Sequence, residues 1–206
     1  MRKRTLILGL TGSFSSGKTM VTRMFKRLGA GTIDADQLYK RLLEDKKSGL
    51  TQKIALAFGR EILQGNEQID RRKLAEIVFG CRAKLEKLTA ITHPEIIKKI
   101  KQEIKQAKKE KKGGVLIIDA PLLVEAGLLP LVDKLVVVKT ERDAQIARAG
   151  KKNGLMPRQV VKIINAQMSP AEKLKLADYV IDNNGPKRET REKVKVIWQT
   201  IIQRGQ

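Results

Sequence analysis

Four residues near the N-terminus have the types and the spacing that hold a nucleotide phosphate chain. The fixed positions of the pattern G-x-x-x-x-G-K-[ST] are filled by Gly12, Gly17, Lys18 and Thr19. The glycines allow a tight turn and a close approach of backbone N–H groups to phosphate oxygens. The lysine would neutralise the β- and γ-phosphates, and the threonine hydroxyl would complete the shell of a Mg²⁺ ion. The pattern therefore indicates a nucleoside triphosphate site, and it leaves the reaction open.

The segments on either side of this phosphate loop have the patterns that such a loop requires. Thr5 to Leu10 is a short apolar run, typical of a buried strand, and Met20 to Leu28 repeats its apolar residues at helical spacing. A glycine-rich turn between strand and helix points backbone N–H groups inward, and the helix N-terminus adds its positive dipole. An ordinary strand-to-helix turn is the alternative, and the coincidence of motif and context disfavours it.

Acidic residues follow two further predicted strands. In parallel α/β sheets the carboxyl ends of the strands form the ligand-binding edge. Asp34 and Asp36 are predicted to alternate along the end of a strand at 31–36, where an acid can accept a hydroxyl proton or hold Mg²⁺ through water. Asp36 can equally cap the next helix. Asp119 ends another predicted strand, as a magnesium-associated acid or as a turn residue before Pro121.

One histidine and one arginine complete the set of candidate residues. His93 precedes Pro94 in a helical region, and we expect it to be structural or to line a pocket rather than to act as a general base. The segment 142–162 is basic, helical and interrupted by Gly and Pro, which is typical of a mobile lid. Arg148 is the lid residue that we expect to stabilise the transferred phosphoryl group. Solubility alone is the alternative role for so charged a helix.

Strands and helices alternate along the chain, which predicts an α/β fold with a parallel sheet. Further strands are predicted at 115–119, 135–138 and 179–181, whereas 37–106 shows helical periodicity and little strand pattern. We expect one domain of three-layer α/β/α architecture. Its parts are a core at about 1–36 and 113–206, a helical acceptor-binding insert at about 37–112 and a helical lid at about 142–167.

The composition is strongly basic. The 206 residues include 43 Lys+Arg against 22 Asp+Glu, a formal net charge of +21. Such a charge attracts polyanions, so nucleic acid and acidic membranes are possible partners. Aromatic residues make up only 3%, which leaves little of the stacking surface that a single-strand binder uses. A lysine-rich composition with a small polyanionic substrate is therefore favoured, and the lysine-rich stretch 98–112 is most simply a solvated helix face.

The sequence has no apolar run long enough to predict a membrane span. Its basic start leads directly into the first short strand, which does not fit a secretory signal. The single Cys81 allows neither an internal disulfide framework nor a cysteine metal cluster. We expect a cytoplasmic protein, and the sequence leaves the oligomeric state open.

A series of short motifs runs through the chain in a fixed order from Leu8 to Val194. They are Gly9–Gly12 with the phosphate loop, Ile33–Asp36, Ile69–Arg71, Val78–Phe79, His93–Pro94, Pro121–Glu125, Gln145 with Arg148, Ala166–Gln167 and Ala177–Asn183. Each motif is weak alone, but their order and spacing are specific. Together they resemble the dephospho-coenzyme A kinase family, whose core is that of a phosphate-loop nucleotide kinase.

The resemblance implies ATP-dependent phosphorylation of the ribose 3′-hydroxyl of dephospho-CoA, with Mg²⁺, in the last step of coenzyme A synthesis. It implies that Asp36, in preference to Asp34, activates the hydroxyl, that Lys18 and Arg148 hold the phosphates, and that Thr19 binds the metal. ATP would be bound by Gly12, Ser13, Phe14, Ser15, Ser16, Gly17, Lys18, Thr19 and Met20, with Asn183 near the adenine. The acceptor pocket would include Asp36, His93, Pro94, Pro121, Leu122, Leu123 and Glu125.

The chain departs from the family pattern in the phosphate loop and in the lid. The loop residues that replace the usual Gly, Ile and Gly are Ser13, Phe14 and Ser15, and Met20 replaces a usual Ser or Thr. In the lid, Lys152 and Ile163 stand where arginines are expected, and neither has the planar two-pronged donor of arginine. Two alternatives therefore stay open: a kinase for another nucleoside or RNA hydroxyl, and a nucleotide-binding homologue with reduced catalysis.

Overall fold

The computed structural model describes residues 4–78, 81–110 and 113–204. Within them the strands are β1 (Thr5–Gly12), β2 (Gly31–Asp34), β3 (Gly114–Asp119), β4 (Lys134–Lys139) and β5 (Tyr179–Asp182). The α-helices are α1 (Lys18–Arg27), α2 (Ala35–Glu44), α3 (Leu50–Phe58), α4 (Arg71–Val78), α5 (Arg82–Glu110), α6 (Arg142–Asn153), α7 (Pro157–Asn165), α8 (Pro170–Lys175) and α9 (Lys187–Arg204). Short 3₁₀ helices lie at Lys46–Ser48, Arg60–Ile62 and Leu129–Leu131.

The strands form one sheet in the order β2-β3-β1-β4-β5. β1 is central and pairs in parallel with β3 and β4, and β4 pairs in parallel with β5. Leu10 of β1 is level with Asp119, and Gly12 is level with Val138. The loop after β1 therefore begins beside the ends of both neighbouring strands. The predicted α/β fold with a parallel sheet is confirmed.

The central strands are buried because they read as almost continuous apolar runs, the pattern of a parallel sheet that is covered on both faces. Leu8, Leu10 and Ile117 belong to one core cluster that also contains apolar residues of β4 and β5. The apolar stripe of α1 and that of α9 complete this cluster, and the rings of Phe25 and Trp198 lie 6.4 Å apart between these helices. This packing fixes the start of α1, and hence the phosphate loop, against the sheet.

The structure corrects the expectation for the two aspartates near residue 35. The predicted strand at 31–36 ends at Asp34, whose side chain accepts a hydrogen bond from the backbone N–H of Gln37 (3.0 Å) and so caps α2. Asp36 consequently lies in the first turn of α2 and not on a strand. The expected alternation along a strand end is wrong, and the cap is Asp34 rather than Asp36.

Two helices also differ from expectation. α1 begins at Lys18, two residues before the predicted start at Met20, and Gly17 is its N-cap residue. α8 was not predicted from the sequence, although Ser169 and Glu172 form a capping box that begins it. The short motif at Val78–Phe79 lies partly outside the described residues.

The chain divides into two compact units, Met1–Ile33 with Ile104–Gln206, and Asp34–Glu103. The first contains the sheet and its covering helices. The second is helical and has its own core, in which Leu50, Ile54 and Ile62 are fully buried. The finer division into core, acceptor insert and lid stays a prediction. Across the described ranges, no helix is long and apolar enough to cross a membrane.

Candidate active site

The loop between β1 and α1 has the backbone shape of an anion cradle. Ser15 and Gly17 have φ angles of 59° and 90°, in the left-handed region, and the backbone N–H of Ser16 donates to the carbonyl of Ser13 (3.0 Å). Such reversals turn neighbouring N–H groups towards a common concavity. The first turn of α1 contains no acidic residue, so nothing there offsets the positive end of the helix dipole.

Two glycines of the motif are required by the packing of the loop itself. A Cβ on Gly12 would lie 2.6 Å from the Ser16 hydroxyl oxygen and 2.7 Å from the carbonyl oxygen of Val138. A Cβ on Gly17 would overlap the side-chain amide of Asn183, and its φ angle also favours glycine. The loop is therefore seated tightly on the ends of β4 and β5.

The carbonyl of Ser16 is held from behind by three donors. They are the hydroxyl of Thr140 (2.9 Å), the side-chain amide of Asn183 (2.8 Å) and Nη1 of Arg148 (3.5 Å). A trans peptide group is planar, with its C=O and N–H pointing in opposite directions. Fixing the Ser16 carbonyl therefore turns the N–H of Gly17 to the opposite side of the loop.

Lys18, at the start of α1, forms an ion pair with Asp119, at the end of β3. The second oxygen of Asp119 accepts a hydrogen bond from the Thr22 hydroxyl (2.6 Å), so both carboxylate oxygens have partners. The Asp119 side chain is only 7% exposed. An ammonium group has three donors, and Lys18 can therefore hold this carboxylate and a phosphate oxygen together.

Arg148 lies on α6 beside the phosphate loop. Besides its contact with Ser16, its Nη2 donates to the carbonyl of Asn183 (2.8 Å), and Nη1 lies 3.4 Å from the Thr140 hydroxyl. The structure thus brings together Arg148, Asn183 and the loop. The Asn183 amide is 2% exposed and is occupied by the Ser16 carbonyl and the Thr190 hydroxyl. A direct contact between Asn183 and adenine stays a prediction.

The unusual loop residues have identifiable surroundings. Phe14 packs against an apolar cluster of α6 and α7 that includes Ala149 and Val160, and its backbone N–H donates to the side-chain oxygen of Gln167 (2.9 Å). Met20 packs against the main core cluster. Ser13 is buried. Phe14 therefore attaches the loop to α6 and α7, and Met20 attaches the first turn of α1 to the core.

A buried ion pair supports the segment after β3. Lys173 of α8 is completely buried; its ammonium group donates to the carbonyl of Pro121 (3.0 Å) and pairs with Glu125 (2.9 Å). Glu125 also accepts a hydrogen bond from the backbone N–H of Met168 (3.0 Å), while the Thr11 hydroxyl donates to Pro121 (2.9 Å). Pro121 and Glu125 are therefore tied to the end of β1 and to α8.

The two leucines of this segment lie in different environments. Leu123 is fully buried beneath β1, where a Cβ on Gly9 would come within 2.9 Å of it. Leu122 is 40% exposed. Of this pair, only Leu122 offers a side-chain surface to a ligand.

Four of the predicted residues belong to the helical unit Asp34–Glu103. Asp34 caps α2, and Asp36 lies in its first turn. His93 and Pro94 lie inside α5, where the proline has no N–H to continue the helical hydrogen bonds. Burial lowers the pKa of His93 below its usual value, so the neutral imidazole predominates at neutral pH.

Several residues of the site were not identified from the sequence. Thr22 lies four residues after Lys18, hence on the same face of α1, and that spacing is a usable signal. Lys173 and Thr190 carry no such signal, because Lys173 is one lysine among many and Thr190 lies far along the chain from the phosphate loop.

Comparison with known proteins identifies a family that matches most of the chain. Residues 6–189 match the family model described as dephospho-CoA kinase. A dephospho-CoA kinase of Carboxydothermus hydrogenoformans is 42% identical over 195 residues, which are 94% of this chain and 93% of that protein.

Two solved structures are similar over nearly their whole length. Dephospho-CoA kinase from Campylobacter jejuni superposes with a TM-score of 0.71 at 27% identity, covering 97% of this chain and 98% of that one. The structure of TT1252 from Thermus thermophilus gives 0.82 at 28% identity, covering 97% and 99%. With a family model that matches most of its length and a relative of more than 40% identity, this chain belongs to the dephospho-CoA kinase family.

Proposed function

We propose that this protein transfers the γ-phosphoryl group of ATP to the ribose 3′-hydroxyl of dephospho-CoA, which yields coenzyme A and ADP. The observation that carries the proposal is the shaped phosphate loop with Lys18 paired to Asp119, in a chain of this family. The hydroxyl oxygen forms a bond to the γ-phosphorus, and the bond from that phosphorus to the β–γ bridging oxygen breaks. The hydroxyl proton passes to a carboxylate base.

Lys18 and Arg148 are the cations that we assign to the phosphates. Phosphoryl transfer spreads negative charge over the transferred group, and fixed positive groups stabilise that charge. Lys18 is held in place by Asp119, while Arg148 is held next to the loop by the carbonyls of Ser16 and Asn183 and has further N–H donors for a phosphate. Less reorganisation is needed at the moment of reaction, which favours turnover.

The residues at the loop fit a nucleotide phosphate chain with Mg²⁺. The Ser16 hydroxyl is buried and has no hydrogen-bond partner among the described residues, so this loop still offers a polar atom to a ligand. Thr19 is exposed in the first turn of α1, and Asp119 lies beside Lys18. We assign the metal to Thr19 and to the phosphates. Mg²⁺ commonly takes only one or two protein ligands and neutralises phosphate charge when bound.

For the acceptor we assign Asp36 as the base that receives the 3′-hydroxyl proton. The family resemblance favours Asp36 over Asp34 for this role, and Asp34 serves as the cap of α2. The neutral His93 can exchange a hydrogen bond with the acceptor without adding charge. The exposed Leu122 is assigned to the acceptor pocket; Pro121, Leu123 and Glu125 are assigned as the support that shapes it.

The test is a coupled ADP-release assay with ATP, Mg²⁺ and dephospho-CoA, in which adenosine and a short RNA serve as parallel acceptors. We expect ADP release that depends on dephospho-CoA, with coenzyme A identified by mass. Release with adenosine or RNA in preference to dephospho-CoA would contradict the proposal and favour another kinase of this fold. Tight ATP binding without turnover on any acceptor would indicate a homologue that has lost catalysis.

The RNA arm of this assay is motivated by the net charge of +21. A basic surface attracts nucleic acid without any specific site, so binding of RNA alone would not identify RNA as an acceptor. Only phosphorylated RNA would do so. A cytoplasmic location stays a prediction from the sequence.

A further inference from the structure

Thr190 has a buried hydroxyl on α9 that is connected to the phosphate loop through the side chain of Asn183. Thr190 is completely buried, and its hydroxyl donates to the side-chain oxygen of Asn183 (2.9 Å). The amide nitrogen of Asn183 donates in turn to the carbonyl of Ser16 (2.8 Å). Two hydrogen bonds therefore link the C-terminal helix to the backbone of the loop.

The orientation of the Asn183 amide follows from the chemistry of its partners. The carbonyl of Ser16 only accepts hydrogen bonds, so the nitrogen of the amide must face it. The amide oxygen then faces Thr190, whose hydroxyl is able to donate. Without that hydroxyl, the buried oxygen of Asn183 has no donor from α9, and the amide loses one of the two contacts that fix its orientation.

The position of Asn183 makes this orientation matter to the loop. The amide lies directly against Gly17, at the place where a Cβ would overlap it. The same amide holds the Ser16 carbonyl from behind the loop, which turns the Gly17 N–H to the opposite side, where the phosphate would bind. A displaced amide would release the carbonyl and press on the residue that begins α1.

We propose that Thr190 is a positioning residue for the phosphate loop, acting through Asn183 on the Ser16–Gly17 peptide group. Thr190 keeps the loop in the conformation that binds the diphosphate group of the nucleotide, and it does so through its contact with Asn183. The inference rests on the proposed function for the identity of the ligand as a nucleotide. It does not depend on the acceptor.

The test measures the dissociation constant of ADP with Mg²⁺ by calorimetry, in the absence of dephospho-CoA. Thr190→Val removes the hydroxyl and keeps the shape of the side chain, and we expect it to weaken ADP binding about tenfold, as when one buried acceptor loses its donor. Thr190→Ser keeps the hydroxyl and is expected to bind ADP within about twofold of the unaltered protein.

Thr200→Val is the matched control, because Thr200 lies on the same helix and its hydroxyl donates to the carbonyl of Val196. We expect it to leave the ADP affinity unchanged. If Thr190→Val does not fold, Thr190→Ala is measured in its place, and the melting temperature of each variant is recorded. Normal ADP binding in both Thr190→Val and Thr190→Ser overturns the inference.

A double-mutant cycle separates positioning from a merely structural role. If Thr190 acts through Asn183, Thr190→Val adds no further loss of ADP affinity once Asn183→Ala is present. Full additivity of the two losses overturns the inference. A failure of the proposed function is distinguishable, because an unaltered protein that binds ADP but makes no coenzyme A contradicts only the acceptor. Absence of ADP binding by the unaltered protein contradicts both.

Discussion

Asp34 and Asp36 are close in sequence and identical in type, but they have different surroundings. The carboxylate of Asp34 accepts a hydrogen bond from the backbone N–H of Gln37, while Asp36 lies two residues further along, in the first turn of α2. We assign proton acceptance to Asp36 because the family resemblance favours the second acid of this motif, and its position in the first turn of α2 separates it from the helix cap. The same substitution at the two positions therefore makes a sharp comparison.

Asp36→Asn is expected to lower the turnover number at least about a hundredfold, because an amide cannot accept the hydroxyl proton. Asp34→Asn is its control: asparagine caps a helix about as well as aspartate, and the expected change in turnover is less than about threefold. Steady-state ADP release with saturating dephospho-CoA checks both. A large loss in Asp34→Asn with normal turnover in Asp36→Asn would transfer the role of base to Asp34.

Ser15 carries a backbone strain that Ser13 does not share. The φ angle of Ser15 is 59°, a conformation that costs a residue with a Cβ about 1–2 kcal/mol and glycine very little. Glycine also gives the unfolded chain more freedom, which offsets part of the gain. Ser15→Gly is therefore expected to raise the free energy of unfolding by up to about 1 kcal/mol, measured by urea denaturation.

Ser13→Gly is the matched variant, since the backbone of Ser13 has no positive φ. Ser13→Gly relieves no strain and only gives the unfolded chain more conformational freedom. The free energy of unfolding is therefore expected to fall by about 0.5–1 kcal/mol. If both serine variants lower the free energy of unfolding equally, glycine at residue 15 relieves no backbone strain.

At the scale of elements, the sequence predicts what local pattern controls. The apolar run at 115–118 made β3 predictable, and the motif with its flanking patterns identified the loop between β1 and α1. The end of β2 was not predictable, because Asp34 and Asp36 are equally good cap residues and only tertiary packing selects one. The way in which the loop is supported was likewise not predictable: Asn183 was expected near the adenine, but it and Thr140 meet the Ser16 carbonyl only after the sheet has formed.

α8 owes its attachment to Lys173, and this gives a prediction for stability. Removing one partner of a buried ion pair leaves the other charge uncompensated, which typically costs about 3–5 kcal/mol. Lys173→Met is expected to lower the free energy of unfolding by about 3 kcal/mol, because Glu125 loses the positive charge that compensates it, and the carbonyl of Pro121 loses one of its two donors. Urea denaturation at neutral pH measures the change.

Lys175→Met is the control for that variant, because Lys175 lies on the same helix and is exposed. Lys175→Met is expected to change the free energy of unfolding by no more than about 0.5 kcal/mol, the usual range for a surface substitution. The double variant Lys173→Met with Glu125→Gln is expected to recover part of the loss, since it removes the unpaired charge. If Lys173→Met unfolds no more easily than Lys175→Met, the buried pair does not hold α8 in place.

At the scale of the whole molecule, the dominant feature is a net charge of +21. Like charges on a compact surface repel one another, and this repulsion is largely relieved when the chain unfolds. The surface also has exposed ion pairs, such as Arg72 with Glu76 and Arg82 with Glu86, but each pair of this kind contributes at most about 1 kcal/mol. Salt weakens the repulsion and the pairs together, so the sign of its effect shows which of them is larger.

We expect repulsion to be larger, and hence the melting temperature to rise as sodium chloride is increased from about 20 to about 200 mM, where the Debye length falls below about 10 Å. Differential scanning calorimetry at pH 7 measures it. Lys18→Ala controls for an anion bound at the phosphate loop: if the rise persists in this variant, it comes from screening of the whole surface rather than from occupancy of one site. A melting temperature that falls with salt would mean that the ion pairs outweigh the repulsion, in spite of the excess of lysine and arginine over acidic residues.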